Sequence, residues 1–211
     1  MKLLTLPLLA AAALGLPGAL GAPMVRDLGM GLTYYRIRQL PQDQPTPPLG
    51  RPGACILDLR YAASDEAAAV ALKAWVAFNV SSHAPIFILE NAQTDPALLA
   101  ALPGRGPPGL VVLAPESARI GPQIAVKVSA ESDRKAYEAL EKGADIQSLL
   151  RDFPDKPRVD EAYLEKEHLA DTDAPDVGSD KTLPPPPLVD RLLQRAYQLH
   201  RGLLALNRIR P

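Results

Sequence analysis

Cysteine occurs once in 211 residues, as Cys55, which excludes an intramolecular disulfide scaffold and any multi-cysteine metal centre. Histidine occurs three times, and His83, His168 and His200 share no metal-ligand spacing with one another. An excess of charge of either sign is also lacking. With 23 Lys and Arg against 24 Asp and Glu, the chain has no global field to gather nucleic acid or an anionic membrane surface. Beyond the first twenty or so residues no long apolar run remains, so no later segment reads as membrane-spanning. Proline, by contrast, is abundant: 23 residues, twice the usual share of roughly 5%. A proline inside a helix costs roughly 3 kcal/mol, which argues against an all-helical bundle.

The first residues read as an address. Lys2 supplies a short positive region, and an apolar run follows from Leu3 to Leu16, broken only by Thr5, Pro7 and Gly15. Pro17 and Gly18 end it, and Ala19, Gly21 and Ala22 supply small residues. This is the layout of a secretory signal peptide over 1–21, cut after Gly21 because cleavage after Ala22 would leave Pro23 next to the cut. The expected location is therefore periplasmic or extracellular. No cysteine follows the run to anchor a lipid.

The rest alternates strands and helices. Leu32–Leu40 (LTYYRIRQL) is rich in strand formers. Ala54–Leu59 (ACILDL), Pro85–Leu89 (PIFIL) and Leu110–Leu113 (LVVL) are short apolar runs of the kind buried on both faces of a sheet, and Ile124–Val128 adds a further strand. Ser64 can cap a helix in which Ala67, Val70, Ala71, Ala74, Trp75 and Phe78 recur at helical spacing. A short helix spans about Asp95–Leu102, and Ser129 caps another running to about Gly143. Strand, helix, strand, helix, strand with short connections predicts an α/β fold, a mostly parallel sheet flanked by helices. The expected organisation is a core over 22–170, a proline-rich linker over 171–187 and a C-terminal amphipathic helix over 188–211. That helix carries an apolar stripe (Val189, Leu192, Leu193, Ala196, Leu199, Leu203, Leu204) beside several arginines. The stripe must be covered by the acidic part of its own chain, by another subunit of a homo-oligomer, or by a membrane surface.

The order of these segments resembles the C-terminal processing peptidases, or tail-specific proteases, and thus a truncated Clp protease/crotonase-like fold. Tyr34–Leu40 is similar to the strand that follows their peptide-binding part. Ala54–Tyr61 (ACILDLRY) resembles their ILDLRxN strand and turn, and Ile86–Leu102 (IFILENAQTDPALLAAL) their active-site strand and helix. Gly121–Val128 (GPQIAVKV) and Val189–Leu206 look like their later strand and closing helix. A separate PDZ-like module has no room before Leu32. The resemblance implies nucleophilic acyl transfer: a serine at the start of the active-site helix attacks a peptide carbonyl, and a lysine of depressed pKa takes its proton.

Residue by residue, this chain departs from that pattern. Asn91 falls on the motif asparagine and Thr94 on its threonine, but the nucleophile position is Pro96, which has neither hydroxyl nor amide proton. No lysine lies between Pro103 and Gln123, and arginine, effectively always protonated, cannot replace one as a base. The expectation is an exported, non-catalytic protein, a pseudoenzyme with no catalytic residues. It would act by binding a peptide or protein, with Asp58, Asn91 and Thr94 marking a vestigial groove, or as an accessory subunit. The alternative is residual or altered hydrolase or peptidase activity on the same fold. No cofactor, metal or nucleic acid is expected. Glu165 and His168 have the spacing of half a di-iron site, but the second pair is missing. Ser82 and His83 are adjacent, so their side chains diverge. Cys55 reads as a packed thiol, and Asp58 with Arg60 as an ion pair fixing the turn toward Ser64.

Overall fold

The structure, a computed structural model, describes residues 24–45, 53–102, 106–118, 123–151 and 187–210. The expected signal peptide, nearly all of the proline-rich linker and the Glu165/His168 pair lie outside these residues.

Six strands form one sheet in chain order: β1 Met24–Asp27, β2 Leu32–Arg36, β3 Ala54–Asp58, β4 Ile86–Leu89, β5 Leu110–Pro115 and β6 Ile124–Val126. β1 pairs antiparallel with β2, and every other pair is parallel. Among the described residues the helices are α1 Glu66–Asn79, α2 Pro96–Ala101, α3 Ala130–Glu141, α4 Ile146–Leu150 and α5 Arg191–Ala205. The fold is therefore α/β, with a mostly parallel sheet between helical layers.

Side chains alternate across a strand, so each strand feeds two cores. Cys55, Leu57, Ile86, Ile88, Leu110 and Val112 pack with Leu72 and Val76 of α1 and Leu98 of α2. Ile56, Phe87, Leu89 and Leu113 pack on the other side with Leu140 of α3, Leu149 of α4, and Leu192, Leu193 and Ala196 of α5. β3 and β4 are buried at every position, which is why their sequences are unbroken apolar runs. The first half of the α5 stripe is thus covered by its own chain, against the sheet as well as α4, while Leu199, Leu203 and Leu204 are half-buried. No helix among the described residues is long and apolar enough to cross a membrane.

Three expectations need correction. β1 has no counterpart in the sequence reading. It is four residues long, and its pairing depends on a turn in which Gly29, Met30 and Gly31 all take left-handed φ, held by Asp27 Oδ1 accepting from the Gly29 amide at 2.8 Å. The N-cap of α1 is Asp65 rather than Ser64: its carboxylate accepts from the Ala68 amide at 2.7 Å. The buried face of α1 also differs from the expected one. Ala68, Ala69, Leu72 and Val76 face the core; of the expected face only Trp75 packs, half-buried, against it, while Ala67, Val70, Ala71, Ala74 and Phe78 face outward, with Phe78 88% exposed. An alanine-rich helix offers more than one apolar stripe. The face holding Leu72 and Val76 interlocks with α2 and the sheet, and hydrophobic spacing alone could not choose between them.

Candidate functional site

The parallel strands end together, and the register sets what meets there. Arg36 of β2, Asp58 of β3 and Leu89 of β4 are successive register partners. In open parallel sheets this carboxyl edge is where ligands bind.

On the α3–α5 side the edge is filled by one buried charge network. Arg60, wholly buried, donates from Nε to Asp58 Oδ1 at 2.9 Å and from Nη2 to Asp58 Oδ2 at 2.7 Å. The same guanidinium reaches Asp133 Oδ1 of α3 at 2.7 Å and both carboxylate oxygens of Asp190, the N-cap of α5, at 2.7 and 3.1 Å. Arginine has five N–H donors, and here all five are used. Burial pushes Asp58 toward its neutral form, but the Arg60 charge and hydrogen bonds from Arg60 and Tyr34 outweigh it and hold the carboxyl below its usual range. The Tyr34 hydroxyl, 2.7 Å from Asp58 Oδ2, is pushed well up by burial and then by the Asp58 charge, so it stays a donor. Arg36 lies beside this network, with Nη2 on the Tyr137 carbonyl and its guanidinium 3.7 Å over the Tyr137 ring. The pairing of Asp58 with Arg60 therefore ties β3 to α3 and α5, and Asp58 Oδ1 also accepts from the Arg60 amide at 3.1 Å, within the turn that leads toward Ser64.

Asn91 and Thr94 continue the bonding around the edge. Asn91 Nδ2 donates to Asp133 Oδ2 at 2.9 Å, and its Oδ1 accepts from the Gln93 amide. Thr94 Oγ1 donates to the Leu59 carbonyl at 3.1 Å and accepts from the Asn91 amide at 3.0 Å. Pro96 is the first residue of α2, whose cap Asp95 accepts from the Ala97 amide.

Two clefts open at this edge. One, of about 660 Å³, lies over α3 and includes Tyr61, Arg134, Tyr137 and Glu141. Tyr61 holds a left-handed φ of 62°, rare for a bulky residue, and its ring centroid is 4.7 Å from that of Tyr137. The other, of about 570 Å³, lies against α2 and includes Glu90, Asn91, Thr94, Pro96, Leu99 and Ala118. Gln93 lines both, so the clefts meet over the turn after β4. Of the expected groove residues, Asn91 and Thr94 reach the second cleft, while Asp58 is sealed inside the network and reaches neither.

Glu90 differs from all of these. It is only 4% exposed, its Oε1 has no hydrogen-bond partner among the described residues, and burial pushes its carboxyl up to about 7.

The chain matches no family model, no curated protein and no solved structure. No described serine, cysteine, histidine or lysine lines either cleft, and the single aliphatic hydroxyl, on Thr94, has amide and carbonyl partners but no base. No group of three or more His, Cys, Asp and Glu among the described residues is arranged to hold a metal ion. The three aspartates that converge at the edge converge on a guanidinium. Cys55 is buried in the core, with its thiol pushed up to about 12 by burial. Ser82 and His83 are exposed, and His200 is buried on α5 with Nε2 3.0 Å from the Met30 carbonyl oxygen.

Sequence reading missed Arg36, Glu90, Asp133 and Asp190. A signal existed for two of them. Asp133 stands at helical spacing with Ala136, Tyr137 and Leu140, an acid on an apolar stripe. Glu90 directly extends a buried strand.

Proposed function

We propose that this chain is an exported, non-catalytic binding protein whose core is a degenerate tail-specific-protease-like domain of the Clp protease/crotonase kind. It holds an extended peptide or protein segment along the carboxyl edge of its sheet, across the two clefts that join at Gln93. The observation that carries the reading is that Arg60, Thr94 and Pro96, the groups at the positions where the resemblance expects chemistry, are engaged or inert, while Glu90 alone among the described lining residues keeps a buried oxygen without a partner. Arg60 spends all five donors on aspartates, Thr94 spends its hydroxyl on the backbone, and Pro96 stands at the head of α2. Groups so engaged hold a rigid rim and offer no activated nucleophile. Exposed to unstructured peptides and a fluorophosphonate probe, the folded protein should bind peptide, with shifts at the Gln93 and Asn91 amides, and acquire no covalent adduct by mass spectrometry. An adduct, or peptide cleavage, would overturn the reading.

Altered hydrolase chemistry is the second reading, favoured by one observation. Glu90 is a buried carboxyl in a cleft, with the kind of environment that suits a general acid or base. It predicts turnover of a small ester or amide that disappears in Glu90→Gln.

A further inference from the structure

Period-two alternation sends the two acids at the strand ends to opposite faces. Asp58 falls on the side of Ile56, toward α3 and α5, where Arg60 answers it. Glu90 falls on the side of Ile86 and Ile88, toward α2, where no described residue does. Its neighbours around the cleft are the uncharged Asn91, Gln93 and Thr94 from the turn, Pro96 and Leu99 from α2, and Ala118 after β5. The nearest acid on α2 is the cap Asp95, whose carboxylate is spent on the Ala97 amide. Glu116, after β5, is exposed and does not line the cleft. Among the described residues the cleft therefore presents one buried, unanswered carboxyl and apolar contacts from Pro96 and Leu99. An alkyl chain ending in a positive charge matches each of these: the chain covers Pro96 and Leu99, and the charge meets the carboxyl.

We infer that the cleft beside Glu90 is a binding site for an aliphatic cation, the ammonium of a lysine-like group or the guanidinium of an arginine-like one. This deepens the peptide-binding reading and rests on it: the cation is the anchor by which a basic side chain would be held. Because Glu90 is the one titratable group among the described lining residues, binding is linked to its ionisation. An alkyl ammonium stays protonated well above pH 8, so any change in affinity between pH 6 and pH 8 reports the carboxyl. Below its folded value of about 7 Glu90 holds a proton that the cation must displace. Affinity therefore rises with pH up to about 7 and levels above it.

The test is a carboxyl-carbon NMR titration of the full chain, with the Glu90 signal assigned through Glu90→Gln, alone and with four probes. These are the Nα-acetyl amides of lysine, arginine and norleucine, and n-butylamine. Glu90 should titrate near 7 alone, and saturating lysine or arginine amide should lower that midpoint by about two units. Affinity for the cations should fall about tenfold from pH 8 to pH 6. Norleucine amide, the uncharged isostere, should bind at least tenfold more weakly, and Glu90→Gln should lose both the preference and the pH dependence. Lysine amide binding more tightly than butylamine assigns the cation to a peptide, and equal binding assigns it to a free amine; either supports the site. A Glu90 that titrates in the ordinary carboxylate range without any probe would mean that the chain supplies its own cation, and the inference falls. It falls equally if norleucine amide binds as well as lysine amide. The two readings fail separately. Peptides held equally by wild type and Glu90→Gln keep the groove and remove the cation pocket, whereas butylamine bound at Glu90 in a protein that takes no peptide does the reverse.

Discussion

Two buried acids end neighbouring strands, Asp58 on β3 and Glu90 just after β4, and they have opposite fates. Asp58 accepts from Tyr34 and Arg60, and Arg60 in turn clamps Asp133 and Asp190 from two helices. Glu90 has an oxygen, Oε1, with no partner among the described residues. Both are almost completely sealed from water, so burial alone does not distinguish them. The difference lies in whether the protein supplies the counter-charge. A saturated buried network fixes the arrangement of elements and cannot take a ligand without losing a bond. An unanswered buried group costs the fold stability and is tolerated where something else can answer it.

That contrast can be broken most severely at Arg60. Arg60→Ala leaves three aspartates buried around no cation, and removal of one partner from such a cluster typically costs about 3–5 kcal/mol. Urea denaturation near neutral pH should show a loss of that size, or a chain that no longer folds cooperatively. A loss under about 1 kcal/mol would mean that the network does not hold α3 and α5 to the sheet. Acid should act on the same cluster. Asp58 has a folded value below its unfolded 3.8, so its contribution is complete above 3.8 and disappears as pH falls through the lower value.

Glu90 should behave in the opposite sense. Its carboxyl titrates at about 7 when folded against 4.5 when unfolded. Below pH 4.5 it is protonated in both states and costs nothing. As pH rises from 4.5 to 7 the unfolded chain gives up its proton first, and stability declines; above 7 the penalty is constant. The shift corresponds to about 3 kcal/mol at most, and about 2 once residual solvent in the cleft is allowed for. Glu90→Gln should therefore be more stable than wild type by about 2 kcal/mol at pH 8 and indistinguishable at pH 4. Parallel stability curves for the two proteins across that range would show that Glu90 has a partner after all.

The sheet was legible because three of its strands, β3, β4 and β5, are short apolar runs separated by turn and helix signals, and strands buried on both faces leave that mark. The mostly parallel order followed from the short connections. The site was legible only in part. Asn91 and Thr94 were reached through the resemblance, and they do line the second cleft, but Asp58 is walled in by Asp133 and Asp190, which lie 75 and 132 residues further along the chain. Nothing local to Asp58 announces that closure, because a network of this kind exists only once α3 and α5 have docked. Glu90 escaped notice because a lone acid after a strand is ordinarily solvated.

Engaged and unengaged groups also divide α1, and here the expected effect is smallest. Leu72 sits wholly buried among α2 and the sheet, whereas Phe78, one of the positions whose spacing predicted the core face, is 88% exposed. Serine and phenylalanine have similar helix propensities. With no burial to lose, Phe78→Ser should change unfolding free energy by no more than about 0.5 kcal/mol, against about 2–5 kcal/mol for Leu72→Ala. Denaturation of both variants at two protein concentrations decides the matter. A Phe78→Ser loss above 1 kcal/mol that grows with concentration would mean that the outward face of α1 is covered by another copy, and that the spacing of Ala67, Val70, Ala71 and Ala74 had pointed to an interface rather than to the wrong core.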